Sequence, residues 1–89
     1  MILILPEMKD NIRLLILTPE RTLAETDVEK VTLPGVKGRF MVLKNHAPLI
    51  SSLEEGDVIY VSAGNEVVIH VLSGFVEIND NKVTVCVEI

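Results

Sequence analysis

The chain has 89 residues, of which 48% are apolar and only 3% aromatic, so it can form one domain around one core. Eight basic side chains against 13 acidic ones give a formal net charge of −5, which argues against nucleic-acid binding and against docking on anionic lipid. A single cysteine, Cys86, excludes an internal disulfide and any Cys/His metal framework, and fits a reducing compartment. No apolar run approaches the roughly 20 residues of a spanning helix, so membrane insertion is not expected. Valine and isoleucine supply 13 and 9 residues. Their β-branched side chains suit a pleated, half-buried surface, so the composition points to an all-β fold.

In chain order, residues 1–10 are expected to form an N-terminal extension, with Met8 as an alternative start to Met1, and the domain covers 11–89. Asn11 to Leu17 is apolar and reads as a strand stopped by Thr18-Pro19-Glu20, since proline cannot donate to a ladder. Arg21 to Ala24 forms a short second strand. Val28 to Leu33, with Val31 and Leu33 on one face, ends at the turn signal Pro34-Gly35. Gly38 to Leu43 follows, then a corner at Asn45-His46-Ala47-Pro48, then Leu49 to Leu53. Val58 to Ser62 and Glu66 to Leu72 flank Ala63-Gly64-Asn65, and Gly74 to Ile78 and Lys82 to Ile89 flank Asn79-Asp80-Asn81. Both patterns are hairpin signatures. Val31, Leu33, Phe75, Val83 and Val85 are the expected core, and Ile89 shares the face of Val83, Val85 and Val87. No window shows a helical period, so the pattern predicts a sandwich or flattened barrel. Runs such as Val67-Val68-Ile69 are apolar on both faces and suggest a partner on one of them.

Chemistry-bearing residues are few. His46, His70 and Cys86 match no zinc spacing, and no carboxylate is placed in sequence to orient either histidine. His70 reads as a strand histidine and Cys86 as a small apolar side chain. Gly35-Val36-Lys37-Gly38 lacks the order of a phosphate loop and reads as a turn. Glu54-Glu55 reads as a solvated turn. At the Asn45 corner, Pro48 restricts Ala47 to extended geometry and Asn45 tolerates unusual backbone angles. His46 is then either a cap for loose backbone groups or a side chain offered to a neighbour.

The order of these motifs resembles a known family. Leu17-Thr18-Pro19-Glu20, Val31-Thr32-Leu33-Pro34-Gly35, Gly38 with Phe40, Asn45-His46-Ala47-Pro48-Leu49-Ile50, Gly56-Asp57-Val58, Ser73-Gly74-Phe75-Val76-Glu77-Ile78 and Asn81-Lys82-Val83-Thr84-Val85 look like the N-terminal domain of the epsilon subunit of F-type ATP synthases, the mitochondrial delta counterpart. The resemblance implies a ten-stranded β-sandwich of two five-stranded sheets, without the C-terminal helical hairpin many members carry. It implies a non-catalytic rotor subunit of the central stalk, peripheral on the cytoplasmic face of the bacterial membrane. Its partners would be the gamma subunit and the c-ring, and it would help couple proton or sodium flow to ATP synthesis. No cofactor and no ATP binding are expected. The implied partner-binding residues are Gly38, Arg39 and Phe40 with the corner Asn45, His46, Ala47 and Pro48. Arg39 stands where the family commonly has an acid, Met41 where it has glycine, and Lys44 where it often has proline. Two rivals are a generic β-sandwich module binding a small ligand or peptide, and an enzyme using His46 with Glu20 or Glu77. The enzyme has no nucleophile, base and orienting group together.

Overall fold

The computed structural model describes residues 11–89; the expected extension over 1–10, and with it Met1 and Met8, lies outside the described residues. Nine strands form: β1 (Ile12–Leu17), β2 (Thr22–Val28), β3 (Lys30–Gly35), β4 (Gly38–Val42), β5 (Leu49–Leu53), β6 (Gly56–Ser62), β7 (Asn65–Val71), β8 (Ser73–Asn79) and β9 (Lys82–Glu88). The described residues contain no helix, so none is long and apolar enough to cross a membrane.

The all-β expectation holds, but the strand count differs. Among the described residues nine strands, against the ten expected, share one continuous ladder in the order β2-β1-β9-β8-β5-β3-β6-β7, with β4 on the other edge of β3. A five-stranded part (β2-β1-β9-β8-β5) and a four-stranded part (β4-β3-β6-β7) meet where Gly35 pairs with Leu53. The sheet curls so that the two parts enclose one core. The Glu29 N–H donates to the Val61 carbonyl (2.8 Å) and the Ser62 hydroxyl to the Asp27 carbonyl (2.8 Å), tying the end of β2 to β6. All pairings are antiparallel except β1 with β9.

Alternation along each strand builds the core. Ile12, Leu14 and Ile16 of β1, Val76 and Ile78 of β8, and Val83, Val85 and Val87 of β9 face Val31 and Leu33 of β3, Val58 and Tyr60 of β6, and Val71 of β7. Two expected core members are not there. Phe75 is 48% exposed, because it shares the outward parity of Ser73 and Glu77 while Val76 and Ile78 point in. Ile89 is 56% exposed, because β9 ends at Glu88.

The turns are tighter than the sequence suggests. Ala63 and Gly64 (φ 52° and 81°) make a two-residue turn between β6 and β7, and Asp80 and Asn81 (φ 56° and 63°) make one between β8 and β9. Positive φ at both central residues matches the twist of the flanking strands, so Asn65 and Asn79 join the strands instead of the loops. β3 likewise runs through Pro34 to Gly35. Pro34 needs no donor there, and its carbonyl accepts the Glu54 N–H at 2.9 Å. β2 extends to Val28, four residues past its expected end, because Glu25 to Val28 pair with Leu15 to Ile12.

Candidate docking surfaces

The Asn45 corner is held by the turn between β8 and β9. Asn45 has φ 68°, a left-handed conformation asparagine tolerates. Its N–H donates to Asn81 Oδ1 at 2.6 Å, and Asn81 Nδ2 donates back to Asn45 Oδ1 at 3.3 Å. The His46 N–H donates to the Leu43 carbonyl (3.2 Å), closing a turn. His46 Nδ1 lies 2.7 Å from the Ala47 carbonyl. A carbonyl only accepts, so Nδ1 carries the hydrogen. Corner and turn together line a concavity of about 310 Å³.

Gly38, Arg39 and Phe40 lie elsewhere. Gly38 pairs with Gly35, which also pairs with Leu53 at the far end of β5, whereas Pro48 immediately precedes Leu49 at its near end. The register therefore sets the two groups apart by about 13 Å along β5, four steps of about 3.3 Å. Phe40 is half-buried and packs against the core. A Cβ on Gly35 would come within 2.9 Å of its ring. Arg39 is exposed and has no partner among the described residues.

Both outer faces of the curled sheet carry apolar side chains. On the five-stranded part Ile50 is 73% and Phe75 48% exposed. Cross-strand pairing aligns Ser52, Phe75, Cys86 and Leu17 in one row. Leu17, Pro19, Phe75, Cys86 and Val87 line an apolar concavity of about 420 Å³. On the four-stranded part Met41 (47%) and Val68 (53%) flank Thr32 and Ile59. The doubly apolar run Val67-Val68-Ile69 thus has Val68 outward, with Val67 and Ile69 packed on the core.

His70 corrects the sequence reading. Carboxylates do orient it: Nδ1 lies 2.8 Å from Asp57 Oδ1 and Nε2 3.1 Å from Glu55 Oε2. Asp57 is opposite His70 in the β6–β7 register, and Glu55 reaches it from the preceding turn, which no sequence spacing reveals. A ring donating both nitrogens is an imidazolium. The hydrogen bond to Asp57, then that to Glu55, accordingly raises the pKa above the ordinary histidine value. The trio spreads along the ring edges instead of converging, and no cluster among the described residues is arranged to hold a metal. Glu20 and Glu77, the acids weighed as partners for His46, make no hydrogen bond with it.

Residues 11–89 match the family described as the ATP synthase, Delta/Epsilon chain, beta-sandwich domain. The chain belongs to this family. An ATP synthase epsilon chain of Nitratidesulfovibrio vulgaris (strain Miyazaki F) is 41% identical over 81 residues, covering 91% of this chain and 60% of the relative. One of Carboxydothermus hydrogenoformans is 44% identical over 78 residues, covering 88% and 58%. The chain thus spans about three-fifths of the length of these epsilon chains. The fold recurs in the Euglena gracilis mitochondrial ATP synthase, in a structure of OSCP, F1 and c-ring, with TM-score 0.83, 19% identity and coverage of 92% of this chain and 53% of that one. It recurs in the central stalk and c-ring structure of the Tetrahymena thermophila mitochondrial enzyme, with TM-score 0.75, 18% identity and coverage of 86% and 63%.

Proposed function

We propose that this chain is a non-catalytic central-stalk subunit of an F-type ATP synthase that docks the gamma subunit onto the c-ring. Gamma seats on the outer face of β5, β8, β9 and β1. The Asn45-His46-Ala47-Pro48 corner, with Gly38 and Arg39 as a separate contact, rests on the c-ring. The subunit sits peripherally at the cytoplasmic face of the bacterial membrane and helps couple proton or sodium flow to ATP synthesis.

The observation that carries this reading is the exposed apolar surface on the outer face of this sheet, with Ile50 at 73% and Phe75 at 48% exposure and the concavity lined by Leu17, Phe75 and Cys86. Apolar surface on pre-ordered strands associates with little conformational entropy to lose. A sandwich whose strands share one continuous ladder can pass torque from one end to the other without a site of its own.

The test is capture of purified gamma subunit by the native chain and by Phe75→Asp. The variant should keep the β-sheet circular-dichroism spectrum and lose most of its gamma binding. Equal binding by a folded Phe75→Asp refutes this face as the seat. Saturable binding of a small molecule or peptide in the concavity, without gamma binding, favours a generic binding module.

A further inference from the structure

We infer that the turn between β8 and β9 belongs to the same docking platform as the Asn45–Pro48 corner, and that Asn81 is the residue that positions His46 for its partner. The inference rests on the reading of the corner as a docking surface. It adds a residue from a distant turn that the corner depends on.

The corner has little structure of its own. It lies between β4 and β5, and a local backbone bond runs from the His46 N–H to the Leu43 carbonyl, at 3.2 Å. Asn45, just before His46, must hold φ at 68°, a conformation that is unfavourable for residues with a Cβ unless surroundings fix it. The fixing group is Asn81. It accepts the Asn45 N–H at 2.6 Å and donates its amide to Asn45 Oδ1 at 3.3 Å, so the two asparagines make a reciprocal clip across 36 residues of sequence. Asn81 is itself well anchored. It occupies the second central position of the tight turn, with φ 63°, and its carbonyl accepts the Arg13 N–H of β1 at 3.0 Å. The turn caps the β8–β9 pairing, whose buried Ile78 and Val83 belong to the core. Rigidity therefore passes from the core through the turn and the clip to the peptide that carries His46.

The platform has a definite chemistry. With Nδ1–H given to the Ala47 carbonyl, Nε2 faces outward unpartnered among the described residues, and in the neutral form of the ring it is a lone-pair acceptor. Asp80 is exposed at the tip of the turn that lines the same concavity. Both outward groups accept hydrogen bonds, so the platform fits a protein loop that offers donors: backbone N–H groups, amides or basic side chains. A clip that fixes His46 relative to Asp80 sets the spacing of the two acceptors.

The experiment compares Asn81→Gly, Asn81→Asp, Asp80→Asn and His46→Ala in the 89-residue chain. Glycine keeps the positive φ of the turn and removes the clip. Aspartate keeps an acceptor for the Asn45 N–H. Two readouts are taken: amide hydrogen exchange of Asn45 by NMR, and affinity for a purified gamma–c-ring subcomplex from the same organism. Asn81→Gly should speed exchange at Asn45 by about thirtyfold while Val85 keeps its protection, and should weaken binding by about the same factor, the worth of two ordinary hydrogen bonds. Asn81→Asp should retain most of the protection. Asp80→Asn should weaken binding without changing exchange. Unchanged exchange at Asn45 in Asn81→Gly overturns the positioning role. If exchange rises and the Gly variant binds like the native chain while His46→Ala does not, the clip is irrelevant to docking and the inference falls. If His46→Ala also binds like the native chain, the docking reading of the corner has failed with it.

Discussion

The inward face of β9 and the outward face of β8 make opposite demands on neighbouring residues, and this can be measured. Val85 is fully buried, paired in register with Val76, whereas Phe75 pairs with Cys86 on the outside and is 48% exposed. Val85→Ala removes two methylene equivalents from the core, about 1.6 kcal/mol of transfer free energy at about 0.8 each. The cavity left in a close-packed site adds to this, so about 2–3 kcal/mol is expected in total. For a domain of this size about 1 kcal/mol moves the melting midpoint by roughly 4–8 °C, so Tm should fall by roughly 10–20 °C. Phe75→Ala removes a larger side chain, yet about half its surface is already wet, so the loss should be about 1 kcal/mol. Thermal unfolding followed by circular dichroism, with urea midpoints as a check, measures both. A one-residue slip of β8 and β9 would exchange the two faces. The reasoning is refuted if Phe75→Ala costs more stability than Val85→Ala, or if Val85→Ala leaves Tm within about 3 °C of the native value.

Three further outcomes are expected. Gly74→Ala should cost about 3 kcal/mol, because a Cβ there would overlap the Cys86 carbonyl oxygen and approach Val87 Cα to 2.9 Å; an unchanged urea midpoint contradicts the close approach of β8 and β9. His70 is held above its ordinary pKa by Asp57 and then Glu55, so its stabilising contribution is complete below the unfolded value of about 6.5 and is lost as pH rises through the raised folded value. His70→Gln should therefore flatten the dependence of Tm on pH above about 6.5, and an NMR titration placing the ring at or below the ordinary value would contradict the pairing. Arg39, exposed and without a partner among the described residues, should contribute electrostatically to ring binding; Arg39→Glu should weaken it most at low salt, where screening is least, and equal or tighter binding there would remove Arg39 from the interface.

Much of this fold is legible from local pattern. Alternation in β9 put Val83, Val85 and Val87 inward, and glycine and asparagine marked the turns at 63–65 and 79–81. Proline at 19, 34 and 48 marked strand ends or irregular edges, though β3 ran on through Pro34. These signals are local because side-chain direction alternates every residue and turn geometry depends on two or three φ angles. Phe75, expected in the core, shares parity with Ser73 and Glu77, and that alternation turns it outward.

What the linear sequence could not hold is which distant residues meet. That β1 pairs in parallel with β9, that β5 and β3 join the two parts through Gly35 and Leu53, and that nine strands share one ladder all depend on long-range register. The same register brings Asp57 to His70, and the path of the chain brings Asn81 to Asn45 and sets Arg39 apart from His46. None of these has a sequence spacing that implies it. The sequence determined strand identity, turn chemistry and most of the buried face, because each follows from a residue and its near neighbours. Tertiary structure decided the partners of the polar groups and the shape of the docking surfaces, because a hydrogen bond across 36 residues exists only once the core between them has closed.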